Sequence, residues 1–157
     1  MRRDRRSGYV TRMPTITDAL LGEHGVIYRL LEHLTSRPFN SAEEARIQAA
    51  QLAAGLATHA QIEDDLLFVA LEGPLGPNGG PLAVMRAEHA EVEGTLERLA
   101  QVEDVQEAEA LAGHLVAVAR EHFAKEEEVL FPMAEQLLGE EVLRSLGEQW
   151  AARRLGG

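Results

Sequence analysis

The chain has 157 residues, an apolar fraction of 45%, and 26 acidic against 15 basic residues, for a net charge of −11. That length suits one domain with a real core, and the acidic balance argues against nucleic acid or an anionic membrane surface as partner, since both demand a basic footprint. There is no cysteine, so disulfides, thiolate metal sites, iron–sulfur clusters and thiol catalysis are excluded.

The opening "MRRDRRSGYVTR" carries five arginines with no apolar stretch directly behind it. It is not a secretory signal, and residues 1–14 are read as a basic disordered or extended tail. No apolar run approaches the length of a membrane span, so a cytoplasmic protein is expected. Periodicity near 3.6 residues then sets in. A first helix is expected from about Thr17 to Leu34, capped by Thr15 or Thr17, with the seam Leu20, His24, Ile27, Leu31 and Leu34. After the loop "TSRPFNS", Ser41 and Glu44 form a capping box. The second helix runs on to about Leu71, its inward face carrying Leu52, Leu56, His59, Glu63, Leu66 and Ala70. The breaker-rich "EGPLGPNGGP" follows. A third helix starts at Pro81, with the seam Leu82, Met85, His89, Val92, Leu96 and Leu99. The fourth begins near Asp104 and continues to about Leu138, with Leu111, Leu115, Val118, His122, Glu126, Val129 and Met133 facing inward. Gly139 marks a helix end. Beyond it, "EEVLRSLGEQWAARR" reads as a short fifth helix packing outside through Val142, Leu146 and Trp150. The fold class is therefore all-α, an antiparallel up-down-up-down four-helix bundle over 15–138 with a C-terminal helix and tail over 139–157.

Each long helix replaces one seam leucine with a histidine: His24, His59, His89 and His122. The second and fourth helices add a glutamate four residues on, Glu63 and Glu126, which shares the histidine's face. Taken singly, each signal suits a hydrogen-bonded core histidine or a surface pair. Their heights change the reading. At about 1.5 Å per residue, all six lie in one slab roughly 10 to 25 Å from the same end of an antiparallel bundle. Confined there unpaired, each group would cost several kcal/mol. A metal relieves that cost, because it requires neutral imidazoles and ionised carboxylates. Six ligands are too many for one tetrahedral zinc and suit two six-coordinate ions bridged by the carboxylates. Imidazole with carboxylate points to iron or manganese ahead of zinc.

The series H…HxxxE…H…HxxxE, in "LLGEHGVIYRLLEHL", "THAQIEDDLLF", "MRAEHAEVEGTL" and "EHFAKEEEVLFP", resembles the hemerythrin-like (HHE cation-binding) domain. The likeness spans roughly residues 15–138. It implies a left-handed four-helix bundle holding a non-haem diiron centre, oxo- or hydroxo-bridged. His24, His59, His89 and His122 would be terminal ligands and Glu63 and Glu126 would bridge. The ferritin-like alternative uses Glu-x-x-His pairs; no histidine here has a glutamate three residues before it. Oxygen-carrying hemerythrins have a fifth histidine one turn after that of the third helix, where this chain has Glu93. Glu93 is accordingly a candidate seventh ligand that would favour the ferric state, and reversible oxygen carriage is not expected. Tyr28, one turn after His24, is a candidate hydrogen-bond donor beside the ligands, or a ligand itself.

His33 and His114 are expected to stay clear of the metals. Asp64, Asp65, Glu127 and Glu128 beside the glutamates, and Glu23, Glu88 and Glu121 before the histidines, are expected on solvated faces. Leu67, Phe68, Phe123 and Phe131 are expected to pack. The resemblance implies a centre that takes a small exogenous ligand (oxygen, peroxide or nitric oxide) for oxygen or redox sensing or iron handling. The alternative is an enzyme reducing peroxide or nitric oxide, and the plainest reading is a metal-free bundle with a buried polar network. No attached receiver, kinase or chemoreceptor domain is expected, so a sensor would need a protein partner. The face carrying Trp150 is a candidate homodimer contact.

Overall fold

The structure is a computed structural model and describes residues 13–77 and 80–156; the expected tail lies outside the described residues apart from its last two positions. All regular structure among the described residues is helical. Helix α1 covers Ile16–Leu34, α2 Ala42–Ile62, α3 Val69–Leu75, α4 Gly80–Gln101, α5 Val105–Lys125 and α6 Phe131–Leu155. A π-helical turn, Glu63–Phe68, fuses α2 to α3, and a second, Glu126–Leu130, fuses α5 to α6. The resulting long rods pack α1 on α2, α2 on α4, α4 on α5 and α5 on α1. This is the expected all-α bundle.

Local chemistry sets the starts of the rods. Thr15, not Thr17, caps α1 by accepting from the Asp18 amide at 3.2 Å. Ser41 caps α2 through the Glu44 amide and Asp104 caps α5 through the Glu107 amide. Such caps contribute about 1 kcal/mol each. Glu44 does not close the expected box on Ser41. Its carboxylate reaches one residue further, to the amide of Asn40 at 2.8 Å.

The apolar seams hold through the first half of each rod and then slip by one residue in two of them. Leu67 and Leu71 are fully buried while Ala70 is only half-buried, and Leu130 is buried where Val129 is 52% exposed. Ala134 likewise takes the place expected for Met133. A π turn carries one more residue than an α turn. Every later side chain is thereby rotated back, and the position one further along meets the core.

The core is divided. One apolar cluster gathers Ile27, Leu31, Leu52, Leu56, Leu96, Leu99, Leu111 and Leu115 toward one end. Another gathers Ile16, Leu20, Leu67, Phe68, Leu71, Leu82, Met85 and Leu130 toward the other. Between them lies a layer of buried His24, His59, Glu63, His122 and Glu126.

Gly139 breaks α6 with φ 75° and ψ 163°, a backbone shape open to glycine. Residues before it complete the last rod. Those after it turn onto α1 and bury Leu143, Leu146, Gly147 and Ala151. The inward side differs from expectation: Val142 is 43% exposed and its neighbour Leu143 is buried. The segment packs on its own chain through Leu143, Leu146 and Trp150. No helix among the described residues is long and apolar enough to cross a membrane.

Candidate metal centre

The buried layer is built by the helical repeat. His59 and Glu63, like His122 and Glu126, stand one turn apart on the inner face of one rod, and His24 and His89 face them from α1 and α4. The ring nitrogens meet in pairs. Nε2 of His24 is 3.1 Å from Nε2 of His59, and Nε2 of His89 is 3.1 Å from Nε2 of His122. The carboxylates lie between the pairs and present one oxygen to each. Glu63 turns Oε1 to His59 at 3.1 Å and Oε2 to His89 at 3.3 Å. Glu126 turns Oε1 to His122 and Oε2 to His24, both at 3.2 Å. Two ligand groups result, His24–His59–Glu63–Glu126 and Glu63–His89–His122–Glu126, which share both glutamates.

Whether these groups suit a cation can be judged from the glutamates. Both are 0% exposed, and none of their four oxygens has a hydrogen-bond partner of acceptable geometry. Carboxylates so confined cost several kcal/mol unless a cation compensates them. Adjacent ligand atoms on an octahedral ion with bonds of about 2.1 Å would be about 3.0 Å apart, against about 3.4 Å on a tetrahedral one. The observed 3.1–3.3 Å separations lie between the two values, the spacing of atoms that one ion could draw together. The donor set, nitrogen and carboxylate without sulfur, is that of a borderline or hard transition ion.

Without a metal the four imidazoles are shifted toward their protonated form. Burial alone would depress the His24 imidazole, but Glu126 and Glu63 outweigh it and raise it to about 9. Burial likewise opposes the charge on His59, which Glu63 and Glu23 raise to about 10. Against the same penalty, Asp64 and Glu63 raise His89 to about 9. His122 is raised chiefly by Glu126. Burial would raise Glu63, yet the facing imidazoles hold it well below the usual carboxylate range.

The outer ring nitrogens reveal four residues that sequence reasoning had assigned to solvated faces. Nδ1 of His59 donates to Glu23 at 2.7 Å, and Nδ1 of His122 to Glu88 at 2.9 Å. Nδ1 of His24 donates to Glu127 at 2.8 Å, and Nδ1 of His89 approaches Asp64 at 3.4 Å. Such partners fix the tautomer that aims the Nε2 lone pair inward. The residues adjoin ligands in the chain but serve ligands of a neighbouring rod, and helix phase alone cannot show that. The available signal was their recurrence: an acid directly before His24 and His89, and directly after Glu63 and Glu126, in both halves. Glu121, Asp65 and Glu128 are exposed as expected, as is His33; His114 is exposed too, beside Glu91, and both histidines stand outside the two ligand groups.

Tyr28 reaches the centre at one remove, donating to Glu127 at 3.3 Å. Burial and the Glu127 charge push its hydroxyl up to about 12. Phe123 stacks on His24 with ring centres 4.1 Å apart, and Phe68 on His89 at 5.5 Å. Glu93 belongs to neither ligand group and is exposed. It stands about 100° around α4 from buried Val92, which turns its carboxylate to the rim of a cavity instead of into the layer. That cavity, about 600 Å³, runs between α2, α4 and α5 and reaches His59, His89 and His122 past Leu56, Val92 and Leu96. The centre is therefore asymmetric. His24 is sealed, whereas the His89 side chain is 12% exposed.

A helical bundle whose buried layer converges four imidazoles and two shared carboxylates defines a metal-binding protein. The sequence model of the hemerythrin HHE cation-binding domain matches residues 15–134, and the chain belongs to that family. No curated protein and no solved structure matches it.

Proposed function

We propose that this protein holds two iron ions in the shared ligand groups and takes up a small exogenous ligand (oxygen, peroxide or nitric oxide) in redox sensing or iron handling. The observation that carries the reading is the division of each glutamate, one oxygen to each histidine pair. A carboxylate so placed serves two ions at once. Bound there, the iron pair would supply electrons to the incoming ligand and an open coordination position for it. The chain's own part is to orient and to exclude. Glu23, Asp64, Glu88 and Glu127 hold protons at Nδ1 and leave Nε2 free to ligate. Phe123, Phe68 and the two apolar clusters keep bulk water from the layer. The cavity beside His89 and His122 offers the route by which a small molecule arrives.

That cavity also favours the second reading, reductive turnover of peroxide or nitric oxide, since it reaches ligands of both halves, His59 as well as His89 and His122. Iron content with visible spectra recorded before and after oxygen, azide and peroxide tests the first reading. Two irons per chain and a ligand-dependent band support it; one or none per folded chain overturns it. Repeated turnover with peroxide or nitric oxide and a reductant would favour the enzyme, and a single slow cycle the sensor.

A further inference from the structure

Among the outer carboxylates, Glu23 is the one bound by the C-terminal segment beyond the family-matched residues 15–134. Its Oε1 accepts from the Trp150 indole at 2.6 Å and from Arg154 Nε at 2.7 Å. Its Oε2 accepts from a second Arg154 nitrogen at 2.9 Å and from His59 Nδ1 at 2.7 Å. One carboxylate thus joins the last helix to a residue of the metal centre. The counterpart acids are held from within the bundle, Glu88 by Lys125 and Glu127 by Tyr28.

The same segment grips the neighbouring rod. Arg154 donates to Thr58 at 2.9 Å and Arg153 to Asp65 at 2.7 Å. It lies close against the start of α1: a Cβ on Gly147 would collide with the Pro14 carbonyl oxygen. It is set off from the last rod at Gly139, where the backbone leaves the helix. The segment is thus seated on the bundle by Leu143, Leu146 and Ala151, and its far end is tied by polar contacts to a group that orients a ligand.

We propose that Trp150 and Arg154, acting through Glu23, are positioning residues for His59, and that the segment after Gly139 is a latch whose docking and metal loading are coupled. Docked, the latch holds Glu23 against Nδ1 and keeps the His59 imidazole aimed at the centre. Loading, in turn, fixes His59 and Glu23 and so strengthens the seat of the latch. The coupling is reciprocal by thermodynamic necessity. It also gives the protein a way to present the state of a buried centre at its surface, through release or retention of one helix. The inference rests on the metal-binding reading of the layer but not on the identity of the ion.

Zinc(II) is a suitable probe, being redox-silent and without visible absorbance that would quench the single tryptophan. The full chain is loaded with zinc and followed by hydrogen–deuterium exchange and by Trp150 emission. Exchange within 143–155 should slow several-fold on loading, together with that of 122–130, and the emission should shift. In Arg154→Gln or Glu23→Gln, residues 122–130 should still gain protection while 143–155 should not, and zinc should bind about tenfold more weakly, as expected when a ligand's outer partner is lost. Trp150→Phe keeps the packing, removes only the indole donor, and should show a smaller loss of the same kind. Arg144→Gln, on the same helix and paired with Glu140, should behave as the wild type. Zinc bound with exchange in 143–155 unchanged overturns the latch and leaves the metal centre standing. Failure of the folded wild-type chain to bind zinc overturns both.

Discussion

Glu127 accepts a 2.8 Å hydrogen bond from Nδ1 of His24, joining the last rod of the bundle to the first. The bond closes a ring. Glu23 on the first rod holds His59 on the second, Asp64 on the second faces His89 on the third, and Glu88 on the third holds His122 on the fourth. Each rod thus orients the histidine of the next, so displacing one rod disturbs ligands on two.

Because both glutamates are shared, removing one should differ in kind from removing a histidine. Glu63→Ala is expected to abolish metal binding in both halves, whereas His89→Ala should spare the half formed by His24 and His59. Metal content of the purified folded variants, with circular dichroism to confirm folding, distinguishes the two. Equal losses in both variants would contradict the sharing.

Glu88→Gln keeps the shape of the side chain but replaces the carboxylate that fixes His122. Metal affinity should fall between about 10- and 100-fold, the range found for outer partners of ligating histidines. Chelator competition measures it. Glu121→Gln, one residue before His122 but exposed, should leave affinity unchanged.

The metal-free protein should lose stability toward alkali, and its affinity for metal should rise over the same interval. In the metal-free protein His24 and His89 sit near 9 and His59 near 10, above the unfolded value near 6.5. The native state then binds more protons than the unfolded one between those limits, so stability falls as pH rises through them and is fully present only below about 6.5. Metal binding must displace these protons, so affinity should rise over the same interval. Thermal melts of both forms from pH 6 to 10 test this; a metal-free protein that grows more stable toward pH 10 would refute it.

Glu93→Gln should leave metal stoichiometry and affinity intact, since the carboxylate is exposed and outside both ligand groups. Lining the cavity, it is placed to affect the access of charged ligands, and its loss should speed binding of azide to the iron-loaded protein. A drop in bound metal would restore Glu93 as a ligand.

Gly147→Ala should loosen the last helix, because the new methyl group meets backbone at Pro14 and not a side chain that could turn away. Overpacking of this kind costs about 1–3 kcal/mol, which for a chain of this size is a fall in Tm of several degrees. Gly113→Ala, with nothing near its Cβ, should be neutral or slightly stabilising.

What the sequence by itself determined is the set of inward-facing ligands. The 3.6-residue repeat puts His24 in line with Leu20, Ile27 and Leu31, and His59 with Leu52 and Leu56, so facing the core was legible from spacing alone. The caps at Ser41 and Asp104 and the turn at Gly139 were equally legible, being local chemistry. Only the tertiary structure decided which acid serves which histidine, that Glu93 points to a cavity rim, and that Trp150 and Arg154 reach back to Glu23. Those contacts join residues on different rods and depend on how the rods are rotated against one another. The two π turns decided the rest. Beginning at Glu63 and Glu126, they shift the core phase from Ala70 to Leu71 and from Val129 to Leu130, a change no periodic reading of an unbroken helix contains.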